Sequence, residues 1–217
     1  MKRIFLSKLL IISLFLFNFC FSQKNKKEIH ESIERRTKEY EDIAKSIWNW
    51  AELGYQEEKS SALLKETLSD EGFSIKSGVA EIPTAFVAEY GSGRPIIGIL
   101  AEFDALPGIS QEVATKRKPI LDQVGGHACG HHLFGTASTA AAIAVKKYLN
   151  ESKKKGTVRL YGTPAEEGGS GKVYMVRAGL FDDVDIVLDW HASDRNAANP
   201  GTSMANRSAK FRFHGYS

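Results

Sequence analysis

Pro95-Ile96-Ile97-Gly98-Ile99-Leu100-Ala101, followed at once by Glu102-Phe103-Asp104-Ala105-Leu106-Pro107, decides how this chain is read. An unbroken apolar run of strand length is the pattern of a strand covered on both faces, as in parallel sheets. Glu102 and Asp104 then stand at the carboxyl end of that strand, where open α/β sheets place their ligands. On these residues alone, ordinary solvation of two loop carboxylates explains them equally well.

The neighbouring sequence repeats the arrangement. Phe73 to Lys76 and Thr84 to Tyr90 read as strands, the second closed by the turn Gly91-Ser92-Gly93. Thr157 to Gly162 reads as another and runs into Thr163-Pro164-Ala165-Glu166-Glu167-Gly168-Gly169. Val184 to Trp190 is a further strand, leading directly into His191. Between them lie helical patterns. Apolar residues recur at helical spacing from Glu28 to Leu53. A second helix is predicted over 57–71, with Ala62, Leu63, Leu64 and Leu68 inward and Gly72 as its stop. A third runs from about Leu133 to Asn150, and a short one covers Gly171 to Ala178, stopped by Gly179. Residues 108–124 lack periodicity and read as a loop over the strand ends. The expectation is an α/β fold: a mixed, largely parallel sheet flanked by helices.

The stretch Gly125-Gly126-His127-Ala128-Cys129-Gly130-His131-His132 holds one of the two cysteines and three of the six histidines. Cys129 and His131, two apart on a tight turn, can aim a thiolate and an imidazole at one point, a pairing that suits zinc-like ions. Alone, the motif reads more readily as a buried free cysteine beside surface histidines. With Glu166, Glu167 and His191 at strand ends of the same sheet, thiolate, imidazole and carboxylate donors collect along one edge, with room for two ions. A metal-acidified water needs a carboxylate outside the ligand set to take its proton. Glu166 is the candidate for that base and Glu167 for a ligand. The implied reaction is amide or peptide hydrolysis. A non-catalytic metal-binding or interaction protein is the alternative, although such a site has no need of Glu166. A thiol hydrolase built on Cys129 and His131 is weaker, because residues two apart on a turn rarely meet as nucleophile and base.

The chain has 217 residues and a formal charge of +3. Lys2, Arg3 and Lys8 precede the apolar run Leu9 to Phe21, and Cys20 and Ser22 offer small residues before Gln23. Residues 1–22 therefore read as a secretory signal peptide, with a lipoprotein anchored at Cys20 or an uncleaved anchor as the other readings. Cleavage removes three positive charges (Lys2, Arg3 and Lys8) and no acid, taking +3 to zero. That balance, with no aromatics interleaved among the lysines, speaks against nucleic-acid binding. The mature protein is expected to be exported, periplasmic or extracellular, with no membrane attachment after cleavage. Cys129 would then be its lone cysteine.

The series Glu-Phe-Asp-Ala-Leu-Pro at 102–107, Gly-His-Ala-Cys-Gly-His at 126–131, Pro-Ala-Glu-Glu-Gly-Gly at 164–169 and Trp190-His191 resembles the zinc aminoacylase and carboxypeptidase family of metallopeptidases. Within it, the tract from Gly171 to Asp185 is most similar to amidohydrolases that cleave aminobenzoyl-glutamate. The resemblance implies metal ligation by Cys129, His131, Glu167 and His191, Glu166 as general base, and Asp104 as a carboxylate orienting a ligand. It implies two divalent ions, zinc with manganese or cobalt as alternatives, and a small acyl-amino-acid or dipeptide-like substrate. His132 stands where many relatives carry aspartate and is left out of the ligand set; His127 is read as a supporting group. Family members continue into a lid and dimerisation domain, so a homodimer is expected of the full-length protein. Residues 23–207 are expected to form the N-terminal part of the catalytic domain, and 208–217 the first strand of the lid. His214 does not match the lid's catalytic histidine. By itself the chain is therefore expected to bind metal poorly and hydrolyse little.

Overall fold

The computed structural model describes residues 26–198, 202 and 209–215. The expected signal segment lies outside them. No helix among the described residues is long and apolar enough to cross a membrane.

Residues 26–34 are helical. The run expected over 28–53 then breaks. The Arg36 N–H closes on the Ile33 carbonyl at 2.9 Å, a tight turn, and the Thr37 hydroxyl donates to the Glu34 carbonyl at 2.7 Å. Helix α1 (Thr37–Trp50) starts afresh and buries Tyr40, Ile43, Ala44 and Ile47, one stripe at steps of three and four. It ends at Ala51, left-handed with φ 42°. Helix α2 (Glu58–Asp70) buries Ser60, Ser61, Leu64 and Leu68, whereas Ala62, expected inward, is exposed. The stripe is turned because both serines find partners inside. Ser61 donates to the Thr84 carbonyl at 2.8 Å and Ser60 to Glu52 Oε2 at 2.7 Å, so polar residues can face the core without loss. Leu64 and Leu68 are fully buried, each contributing about 1.5–3 kcal/mol of transfer free energy.

The strands are β1 (Ser74–Ser77), β2 (Phe86–Ser92), β3 (Ile96–Ala101), the two-residue β4 (Leu106–Pro107) and β5 (Gly125–Gly126), β6 (Gly156–Gly162) and β7 (Ile186–Leu188). The main sheet has the order β1-β2-β6-β3-β7, and β4 pairs with β5 separately. β6, β3 and β7 are mutually parallel, and β2 is antiparallel to both β1 and β6. Four of the five strands thus run one way and only β2 opposes them, so the mixed, largely parallel sheet is what the chain forms. Alternate residues divide the faces. Phe86, Ala88, Ile99, Ala101, Val158 and Leu160 join the core under the helices, while Tyr161, Val87 and Leu100 pack with Val79, Ile82, Met175 and Phe181 on the other side.

Helix α3 (His131–Ser152) crosses the sheet. Gly135 lets it approach the end of β3, since a Cβ there would sit 2.8 Å from the Glu102 carbonyl. Ser138 ties the helix down by donating to the Leu100 carbonyl at 2.7 Å. Beyond β6 come a distorted turn, α4 (Glu166–Gly169), and helix α5 (Gly171–Arg177). β7 is shorter than expected, and its Ile186, Val187 and Leu188 are about half exposed. Residues 209–215, expected as strand, are exposed and carry no ladder bonds, because no strand among the described residues pairs with them.

Candidate metal centre

Because β6, β3 and β7 are parallel, their carboxyl ends open on one edge. β3 delivers Glu102 and Asp104 there, β6 delivers Glu166 and Glu167, and β7 delivers His191. The β4–β5 pair returns the chain beside its outgoing path, Leu106 opposite Gly126, and so brings Cys129 and the first turn of α3 to the same place. The loop at 108–124 lies between those two strands. Gly130, at φ 98°, makes the left-handed step from Cys129 into His131.

His131 is the centre of the cluster and is fully buried. Its Nδ1 lies 2.9 Å from Asp104 Oδ1, and the other Asp104 oxygen accepts the Glu167 backbone N–H at 2.9 Å. One buried carboxylate thereby holds both a ring and the turn that carries the paired glutamates. Burial disfavours charge on Asp104, but the His131 hydrogen bond and the Glu167 N–H outweigh it and hold the carboxyl below its usual range. Asp104 therefore accepts, Nδ1 donates, and Nε2 faces the cavity. Around Nε2 stand Glu102 Oε2 at 3.1 Å, Glu167 Oε1 at 3.7 Å and Glu166 Oε2 at 3.8 Å. These are contacts between ionisable groups, and His131 Nε2 and Glu167 Oε1 are both buried without a hydrogen-bond partner. Burial opposes protonation of His131, yet the carboxylates at Asp104, Glu102 and Glu167 prevail and raise its pKa.

On the open side Cys129 Sγ lies 3.3 Å from His191 Nε2. His191 Nδ1 is 2.9 Å from the Ala192 carbonyl, which can only accept, so Nδ1 carries the proton and Nε2 presents a lone pair to the sulfur. Phe134 packs on His191, ring centres 4.9 Å apart, and on Trp190 at 4.6 Å. Burial, and then the carboxylates of Glu167, Glu166 and Glu102, push the Cys129 thiol up to about 11.

These donors fit a divalent ion. Cys129, His131 and His191 bring three ligand atoms within 4.8 Å of one another, and Glu102, His131 and Glu166 do the same. Bonds of about 2.0–2.3 Å around a tetrahedral ion separate ligand atoms by roughly 3.3–3.8 Å, the range of the Cys129–His191 and His131–Glu167 distances. A cation would satisfy His131 Nε2 and Glu167 Oε1 and lower the pKa of the thiol that burial and the carboxylates now raise. The paired glutamates reach His131 Nε2 at nearly the same distance and differ in exposure: the Glu167 side chain is 17% exposed and that of Glu166 40% exposed.

His127 and His132 fall outside both groups. His127 Nε2 lies 3.1 Å from the Ile47 carbonyl, and the Trp48 ring packs on both histidines. Burial, with neighbouring imidazoles, lowers each to about 4, so both are neutral supports between α1 and the motif. Sequence reasoning brought Glu102 to the strand end but left it out of the site. It is 5% exposed, ion-paired to Lys172, and turned towards His131. The signal was present, since Glu102 and Asp104 are two apart on an extended segment and share a side.

Residues 98–210 match the model of peptidase family M20/M25/M40. A p-aminobenzoyl-glutamate hydrolase subunit of Escherichia coli K12 is 45% identical over 188 residues, covering 86% of this chain and 39% of that one. The human Xaa-Arg dipeptidase is 31% identical over 201 residues, covering 85% and 42%. The chain thus spans about two fifths of the length of these relatives. Among solved structures, a dinuclear metal-binding peptidase of the M20 family from Bacillus subtilis superposes with a TM-score of 0.59 at 27% identity, covering 75% of this chain and 44% of the other.

Proposed function

The chain belongs to peptidase family M20/M25/M40, and on that premise we propose that it carries the metal centre and general base of a metal-dependent amidohydrolase. The observation that carries this reading is the convergence of two buried ligand atoms without a hydrogen bond, His131 Nε2 and Glu167 Oε1, beside the Glu166 carboxylate. Cys129, His131, Glu167 and His191 would hold the ions, two in number, with the buried Glu102 carboxylate beside His131. Divalent ions bound there supply Lewis acidity and an acidified water.

The chain's own residues do the rest. Glu166 takes a proton from the attacking water as the new C–O bond forms, and returns it to the amide nitrogen as the C–N bond breaks. Asp104 keeps the His131 Nδ1 proton in place and fixes the backbone of Glu167, so that neither must reorganise during turnover. The substrate class is an N-acyl amino acid or dipeptide-like amide, with aminobenzoyl-glutamate first among candidates because the 45% identical relative is named for it.

A thiol mechanism has one observation in its favour, the Cys129–His191 contact at 3.3 Å. Burial and the carboxylates, which together raise the thiol to about 11, oppose it, because they suppress the thiolate such a mechanism needs. A binding-only role leaves Glu166 without a task.

We also propose export, on the strength of residues 1–22. A homodimer follows from the family resemblance, and the bacterial relative, named as one subunit of a hydrolase, raises a second assembly with a different partner. Light scattering on the full-length protein, alone and mixed with extract, separates the two. The functional test is amine release from aminobenzoyl-glutamate by the full-length protein. Glu166→Gln should lower kcat by about 10²–10⁴-fold with metal content unchanged. A variant as active as wild type would overturn the assignment of the base.

A further inference from the structure

Outside the metal cluster, one short loop between α1 and α2 touches two of the segments that carry the proposed chemistry, the one after β3 and the one after β6. Glu52 accepts the Ala105 N–H on its backbone carbonyl at 2.8 Å, and Leu53 bridges to Ala105, just past Asp104. Gly54 lies against Ala165, where a Cβ would come within 3.0 Å of the Ala165 Cα. The Tyr55 hydroxyl donates to the Gly169 carbonyl at 2.5 Å. Glu57 is fully buried, and both of its oxygens are engaged: Oε1 accepts the Ala165 N–H at 2.8 Å and Oε2 accepts the Thr84 hydroxyl at 2.9 Å.

The placement of these bonds is specific. Ala165 is the residue before Glu166, and it sits in the left-handed region at φ 55°, which a residue with a Cβ adopts only when its surroundings impose it. Glu57 holds the N–H on one side of that residue. Two residues on, Asp104 holds the Glu167 N–H, and Tyr55 holds the far end of the turn at Gly169. The glutamate pair is suspended between two buried carboxylates, and the direction in which Glu166 and Glu167 leave the backbone depends on both.

We propose that the 52–57 loop is a positioning clamp, in which Glu57 and Tyr55 lock the 165–169 turn and with it the directions in which Glu166 and Glu167 leave the backbone towards the cluster. This inference rests on the roles given above to Glu166 and Glu167. Glu57 is a positioning residue and acts through Ala165. An amide can replace it, because a glutamine oxygen accepts from Ala165 N–H while its NH₂ donates to Thr84 Oγ1.

The test uses the full-length protein and two readouts. In Glu57→Ala, backbone amide exchange in a peptide covering 163–170 should accelerate about tenfold, with exchange in α3 unchanged. The kcat should fall by about 10–100-fold, as expected when a reacting group is displaced by a fraction of an ångström to an ångström, with KM changed less than about threefold and metal content kept. Glu57→Gln should recover most of that loss. Tyr55→Phe, at an exposed position where folding is not at stake, should move both readouts the same way by about threefold. Unchanged exchange in Glu57→Ala and Tyr55→Phe overturns the clamp, as does faster exchange with kcat intact, or a kcat loss that only tracks the unfolded fraction. Should Glu166→Gln keep its activity, the general-base reading fails instead, and exchange alone still decides whether the clamp exists.

Discussion

Asp104 and His131 are joined at 2.9 Å, Oδ1 to Nδ1, in a place where neither side chain is reached by solvent. A buried charged hydrogen bond of this kind fixes a ring more firmly than packing alone, and here it decides which imidazole nitrogen is offered to the cavity. Asp104→Asn keeps the volume but only one accepting oxygen, so either the His131 Nδ1–H or the Glu167 N–H meets an NH₂ donor instead. Metal affinity should fall by about 10–100-fold, measured by competition with a chelating dye; affinity equal to wild type would show that His131 needs no such partner.

Cys129 offers a sharper view of the cluster's charge. Burial and three carboxylates raise its thiol to about 11 in the metal-free protein. Alkylation of the demetallated protein by iodoacetamide should therefore be slow at neutral pH and climb steadily to about pH 11, whereas an ordinary thiol levels off near about 8.5. A plateau at or below the ordinary value would mean that the thiolate is favoured and would reopen the thiol mechanism.

Glu71 links the helices away from the site, pairing with Arg36 at 2.6 Å and Lys146 at 2.9 Å. Burial alone would raise its carboxyl, but Lys146 and Arg36 prevail and lower it. A depressed folded-state pKa contributes stability that is present above the unfolded value, about 4.3, and is lost as pH falls through the folded value. Glu71→Gln should cost about 1 kcal/mol at pH 7, since the pair is a quarter exposed and partly screened. The difference from wild type should vanish in acid; a gap that persists there would assign the effect to packing.

The core under α2 can be separated from the site. Leu68→Ala removes a fully buried side chain and should destabilise by about 2–5 kcal/mol in denaturant titration. Metal stoichiometry of the folded protein should be unaffected, and a parallel loss of metal would show that core and site are coupled.

What could be read from the sequence follows from what is local. The apolar run at 95–101, the carboxylates after it and the Cys129 turn are contiguous, so strand ends and ligand types were legible before any packing was known. The ties across the sheet were not. Glu57 reaches Ala165 and Glu102 reaches Lys172 only after α2 and α5 have docked, and a lone glutamate at the start of a helix looks like a surface charge. The orientation of α2 was misjudged at Ala62 for a similar reason, since Ser60 and Ser61 turn inward on bonds to Glu52 and Thr84 that no periodicity reveals. His191 was legible as a strand-end residue; that it lies 3.3 Å from Cys129 depends on the β4–β5 pair, which returns the Cys129 turn to the sheet edge.

Metal stoichiometry of the full-length protein, measured by elemental analysis alongside His131→Ala and Glu166→Gln, tests the central claim most directly. Wild type and Glu166→Gln should each retain about two ions per chain, while His131→Ala, missing the imidazole at the centre of the cluster, should lose at least one. Full occupancy in His131→Ala, or none in the wild type, would contradict a metal centre built on Cys129, His131, Glu167 and His191.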